Sequence, residues 1–192
     1  MVSKDTIRQS LLDRRSRLRS EEAEQAAEQI ALRLLQRPEI ASAEAIGLYS
    51  AFRGEVSTRT CFERLREKTA RLYLPRVRED AGRVEFVRVE DWKQLTRGYN
   101  GIWEPEATLP ATDLQDIGVL VVPGVAFDLR GYRLGWGKGF YDRALHRYAG
   151  ARIGLAYDFQ ILERIPAGPV DERVDIVISE ARVIEGPPDL KE

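Results

Sequence analysis

"IGVLVVPGVAFDLRGYRLGWGKGFYDRAL", residues 117–145, decides how the rest of the chain is read. Residues 117–123 are apolar without alternation, and their closing Pro123 is followed by Gly124. That pattern suits a strand buried on both faces, as in a parallel sheet, rather than a half-solvated antiparallel one. The chain then passes through Gly135, Gly137 and Gly139 at alternate positions before a helical pattern begins near Tyr141 and Asp142. In an open α/β sheet, a loop between such a strand and helix lies beyond the strand's carboxyl end, where these sheets bind ligands.

Working outward, Ile7, Leu11 and Leu18 fall on one helical face. Ser20, Glu21 and Glu22 announce a second helix carrying Ala23, Ala26, Ala27, Ile30, Leu34 and Leu35, which Pro38 closes. Residues 45–50, 71–77, 84–89, 151–157 and 174–179 read as strands, and residues 60–68 and 140–148 as helices. Residues 96–110, rich in Gly and Pro, read as a connection. Alternating helices and strands predict an α/β fold: one three-layer domain over residues 1–192, with a mostly parallel central sheet flanked by helices. Residues Tyr49 to Glu55 and Pro123 to Asp142 are then the candidate site segments.

The composition narrows the chemistry. With 192 residues, 32% charged and 43% hydrophobic, the chain is that of a globular protein with one core. A formal net charge of -1 argues against a nucleic-acid binder, so any anion site must be local. The N-terminal stretch has no uninterrupted apolar segment, and nothing approaches the roughly 20 apolar residues that span a bilayer, so an unprocessed, non-membrane, cytoplasmic protein is expected. Cys61 and His146 are the only residues of their kinds, which excludes disulfides, zinc clusters and Ser-His-Asp machinery. Catalysis is left to Lys, Arg, carboxylates and backbone.

Alternating glycines allow positive φ and close approach of a ligand to backbone N–H groups, with a helix N-terminus following; this is the chemistry of a phosphate cradle. The spacing matches neither the dinucleotide fingerprint nor the Walker loop, because Lys138 is followed by Gly139 rather than Ser or Thr. Glycines alone equally suit a tight surface loop, and Asp142 also suits a helix N-terminus by charge. The neighbours favour the cradle: Arg133 and Lys138 supply cations, Trp136 a stacking surface, and Asp142 a hard oxygen ligand for magnesium.

The segment "PGVAFDLRGYRLGWGKGFYDRAL" closely resembles the signature of the 5-formyltetrahydrofolate cyclo-ligase family, with Pro-Gly, Ala-Phe-Asp, Arg-Leu-Gly and the Gly-x-Gly run in the same order. The resemblance extends to Lys4 and Arg8, to "YSAFRGEVST", "LPRV", "GIWEP" and "VDERVDIVIS", and so covers nearly the whole chain. It implies ATP- and magnesium-dependent cyclisation of 5-formyltetrahydrofolate to 5,10-methenyltetrahydrofolate, with release of ADP and phosphate, through an iminium phosphate at the formyl group.

By the same resemblance, Lys4 and Arg8, together with the loop of Arg133, Gly135, Trp136, Gly137, Lys138, Gly139 and Tyr141, hold the nucleotide; Arg133 and Lys138 assist phosphoryl transfer. Asp142 and Asp171 hold magnesium. Glu55 contacts the folate, with Tyr49, Phe140 and Tyr141 lining its pocket. Val170 stands where the family often has His, and Phe140 where it has Tyr. The expected partner is 5-formyltetrahydrofolate, with polyglutamylated forms admitted, and the protein is expected to act as a monomer. The competing reading is a non-catalytic relative that binds nucleotide or folate as a regulatory module.

Overall fold

The computed structural model describes residues 2–68 and 71–186. Among them are helices α1 (Lys4–Ser16), α2 (Ser20–Leu35), α3 (Pro38–Ser42), α4 (Arg59–Arg66) and α5 (Phe140–Leu145). The strands of the first half are β1 (Ala45–Gly47), β2 (Arg71–Arg78), β3 (Arg83–Arg88), β4 (Leu95–Arg97), β5 (Trp103–Pro105) and β6 (Ala111–Thr112). Those of the second half are β7 (Val119–Val122), β8 (Ala126–Asp128), β9 (Arg133–Leu134), β10 (Ala151–Leu155), β11 (Ile161–Leu162), β12 (Ile176–Ile178) and β13 (Val183–Glu185).

The main sheet runs β13-β12-β10-β7-β1-β2-β3-β6. Its middle, from β12 to β2, is parallel throughout, and the antiparallel pairs lie toward the edges. The mostly parallel expectation therefore holds, and β7 explains why: all four of its residues are buried. Val119 and Val121 face one layer, with Ile30 and Leu34 of α2 and Phe62 and Leu65 of α4. Leu120 and Val122 face the other, with Phe127, Leu145 and Tyr148. Burying each such side chain contributes about 1.5–3 kcal/mol, so both faces demand a covering layer.

Several boundaries differ from the sequence reading. Leu18 lies beyond α1, though it still packs against the first core layer. Pro38 does not close α2, which ends at Leu35 with Gln36 as its cap. Instead Pro38 opens α3, where its missing N–H would have had no helical partner. β1 stops at Gly47 and α5 at Leu145, both short of expectation.

The stretch after β7 is more ordered than a plain loop. β8 and β9 form an antiparallel pair, and β8 also pairs in parallel with β11, making a second, small sheet. Its turn is held by the fully buried Asp128, whose carboxylate accepts the backbone N–H groups of Arg130, Tyr132 and Ile165 at 2.9, 3.0 and 2.9 Å. Gly131 completes the turn at φ +83°, with a Cβ there excluded by the Val174 carbonyl oxygen at 2.3 Å. This small sheet carries the chain from β7 to the glycine loop and aims Arg133. Likewise, the expected connection at residues 96–110 holds most of the β4–β5 hairpin, which begins one residue earlier at Leu95.

Candidate active site

A cavity of about 270 Å³ lies where the parallel strands end. Its walls come from the Tyr49–Glu55 segment after β1, the Pro123–Gly124 turn after β7, residues of β2 and β3, the turn of the β4–β5 hairpin, and the segment from Arg133 to Asp142. Three polar atoms of its lining residues, Ser50 Oγ, Arg133 Nε and Tyr141 Oη, are buried without a hydrogen-bond partner. Such unmatched groups are costly unless a ligand meets them.

The glycine loop forms one wall. Gly137 and Gly139 adopt φ of +94° and +69°, and Gly139 caps α5, so the backbone conformation itself selects glycine there. Beside it, the Arg133 side chain is 4% exposed and its Nη2 donates to Asp142 Oδ1 at 2.7 Å. Lys138 is exposed, lines the cavity and has no acidic partner among the described residues. A cation left uncommitted beside a paired Arg and Asp is available to an incoming anion.

Helix α1 leans on this loop from outside. Arg8 Nε donates to the Gly135 carbonyl at 3.0 Å, and Arg8 also pairs with Asp5. Lys4 Nζ holds both oxygens of Asp171, at 2.6 and 2.5 Å, and Gly168 N–H adds a bond of 2.6 Å. Burial opposes ionisation of Asp171, but Lys4 and the Gly168 N–H outweigh it and keep this carboxyl below its ordinary range. Lys4, Arg8 and Asp171, and Gly137 within the loop, thus do not line the cavity, whereas the other expected site residues do.

Glu55 forms the opposite pole. It is 8% exposed; its Oε1 accepts from Trp136 Nε1 at 2.9 Å and its Oε2 from Phe52 N–H at 3.0 Å. Burial pushes its pKa up, against the Trp136 bond and the nearby Arg15 cation, which favour the charged form. Trp136 therefore ties the glycine loop to Glu55, and its ring also meets the guanidinium groups of Arg15 and Arg53 at 5.2 and 5.6 Å. Tyr49 turns its hydroxyl away, donating to the Val56 carbonyl at 2.7 Å, so only its ring is offered to the cavity. Phe140 packs edge-on against Tyr99 of the hairpin, with centroids 6.0 Å apart.

Two groups escaped the sequence reading. Arg15 is 3% exposed, and burial lowers its pKa while Glu55 opposes that shift. Its signal was a charged residue four positions after Leu11 on an apolar helix face. Glu104, 5% exposed in "GIWEP", lines the cavity across the hairpin. His146, by contrast, sits at the surface, its side chain 70% exposed and beside Glu172.

Among the described residues, no three His, Cys, Asp or Glu side chains converge on a metal position. Beside the glycine loop, the cavity offers a cation the carboxylate of Asp142, held by Arg133, while the other two lining carboxylates, Glu55 and Glu104, each accept two N–H bonds. No helix among the described residues is long and apolar enough to cross a membrane.

Comparison with known proteins identifies the family and the fold. The chain is 32% identical over 177 residues to 5-formyltetrahydrofolate cyclo-ligase of Escherichia coli K12, covering 90% of this chain and 97% of that protein. It is 34% identical over 154 residues to the Haemophilus influenzae protein of the same name, covering 78% and 81%. The solved structure of Aquifex aeolicus 5,10-methenyltetrahydrofolate synthetase superposes with a TM-score of 0.85 at 35% identity, covering 98% of this chain and 96% of that one. A 5,10-methenyltetrahydrofolate synthetase from Mycoplasma pneumoniae gives 0.77 at 27% identity, covering 93% and 99%. With the model of the 5-formyltetrahydrofolate cyclo-ligase family matching residues 1–180, the chain belongs to that family.

Proposed function

We propose that the protein closes the ring of 5-formyltetrahydrofolate to give 5,10-methenyltetrahydrofolate, consuming ATP with magnesium and releasing ADP and phosphate. One observation carries the reading: a single cavity joins a cation-bearing glycine loop to the buried acid Glu55, with Trp136 bonded between them. Phosphoryl and folate groups held at these two poles would lie in one enclosed space, which is what transfer between them requires.

The chemistry asks little covalent work of the protein. The formyl oxygen attacks the terminal phosphorus of ATP, the bond from that phosphorus to the β–γ bridging oxygen breaks and ADP leaves, giving an iminium phosphate at N5; N10 then attacks the formyl carbon and gives its proton to solvent, and the carbon–oxygen bond breaks to release phosphate. Lys138 and the loop N–H groups would hold the transferred phosphoryl group, with the Arg133 guanidinium beside it. Glu55 would accept hydrogen bonds from the pterin N–H groups, between walls of Tyr49, Phe140 and Tyr141.

Asp142 fits magnesium, because such sites commonly take one or two carboxylates and leave the remaining positions to phosphates and water. When bound, the ion would supply positive charge to the phosphate oxygens. Asp171, the second expected ligand, is paired with Lys4. Nucleotide phosphates drawing Lys4 toward the loop would free that carboxylate, so both assignments follow from one exchange of partners. Arg8, already at Gly135, would reach the same phosphates. The reading includes a single domain acting as a monomer in the cytoplasm, with polyglutamylated folate within its substrate class.

The test mixes purified protein with 5-formyltetrahydrofolate and Mg-ATP and follows the near-ultraviolet absorbance of the methenyl product. A rise abolished by omitting either ATP or magnesium is expected; no rise from folded protein overturns the proposal. Glu55→Gln should raise KM for the folate about tenfold, the cost of about one charged hydrogen bond, with KM for ATP little changed. Equal shifts in both constants would remove Glu55 from the folate pole.

A further inference from the structure

The β4–β5 hairpin ends in a turn whose residues Tyr99, Asn100 and Ile102 form one side of the cavity. A short two-stranded ribbon has little stability of its own. Its turn also contains Asn100 at φ +51°, a conformation unfavourable for most side chains. Something beyond the ribbon must therefore hold this wall in place.

The Glu104 carboxylate reaches in two directions. Oε2 accepts from Tyr99 N–H and Oε1 from Val77 N–H of β2, each at 3.2 Å, so one side chain ties the turn to the main sheet. The fit leaves no slack: a Cβ at Gly98 would lie 2.1 Å from Oε2. Tyr99 in turn packs edge-on against Phe140, the first residue of α5 beside the glycine loop. The strap thus sets where the Tyr99 ring stands relative to the loop.

We infer that Glu104 is a positioning residue for the folate side of the cavity, holding the Tyr99–Ile102 turn as a fixed wall against which the substrate ring system is placed. The inference rests on the proposed cyclo-ligase reading for the identity of the substrate, while the strap itself does not. Buried carboxylates are often purely structural, and that role would predict lost stability and uniform damage to all kinetic constants. A positioning role predicts selective damage. Glu104→Gln keeps the shape but turns one acceptor into a donor facing a backbone N–H; Gly98→Ala pushes on the same carboxylate from the other side.

The experiment uses the full chain in three forms: unchanged, Glu104→Gln and Gly98→Ala. Amide hydrogen exchange without ligands reads the strap directly, and exchange at Tyr99 N–H should quicken about tenfold in Glu104→Gln, the equivalent of one weakened charged hydrogen bond. Steady-state kinetics should show KM for 5-formyltetrahydrofolate raised about tenfold in both variants, with KM for ATP within about twofold and the melting temperature within about 3 °C. Unchanged exchange at Tyr99 overturns the strap. Faster exchange with unaltered folate KM, or with KM for both substrates shifted alike, overturns the positioning role. If the unchanged protein makes no methenyl product, the functional proposal fails by itself, and the exchange result still decides whether Glu104 holds the turn.

Discussion

Lys138→Ala is expected to lower kcat by about 10²–10³-fold, the usual cost of removing one preorganised charge from a developing anion. Its fold should be unaffected, because the Lys138 side chain is exposed and has no acidic partner among the described residues. The hydrogen bond made at this residue goes to its backbone: Arg143 Nη2 donates to the Lys138 carbonyl at 2.9 Å, an atom alanine retains. The check is kcat from the methenyl absorbance assay beside a thermal melt. An unchanged kcat would remove Lys138 from phosphoryl transfer. Lys138→Arg should recover only part of the rate, since a planar guanidinium cannot occupy the same point as an ammonium.

Arg133→Met should damage both stability and turnover. The Arg133 side chain is 4% exposed and that of Asp142 25%, so the substitution strands a partly buried carboxylate. Breaking a fully buried pair costs about 3–5 kcal/mol; the partial access of Asp142 to water reduces the expectation to about 2–3 kcal/mol. Denaturant midpoints would read it. Adding Asp142→Asn removes the stranded charge and should restore about half of the lost stability, while activity stays lost because both the phosphate cation and the proposed magnesium ligand are gone. A single variant with an unchanged midpoint would mean that the pair contributes nothing to the native state.

The proposed site divides into parts that local sequence carried and parts that it did not. The glycine loop was legible because positive φ demands glycine, and Gly137 and Gly139 adopt it. Glu55 was legible only through the family resemblance; nothing in its own neighbourhood marked it as buried. Arg15 and Glu104 were passed over because their roles are set by residues distant in sequence: Arg15 reaches the carbonyls of Arg53 and Gly124, and Glu104 the N–H of Val77. The Lys4–Asp171 pair spans 167 positions, a separation at which no spacing rule operates. Pro38 was misread for a related reason, since proline is compatible with both the end of one helix and the start of the next.

By itself the sequence determined the layered α/β order and the parallel middle of the sheet, because unbroken apolar runs such as Val119–Val122 must be covered on both faces wherever they are placed. It also determined the bare backbone of the loop. Tertiary structure alone decided which charges meet, that Trp136 bonds to Glu55, that α1 rests on the glycine loop, and that the β4–β5 hairpin walls the cavity. The physical reason is range: periodicity and backbone conformation are properties of neighbouring residues, whereas the pairing of buried polar groups depends on the chain having already folded around them.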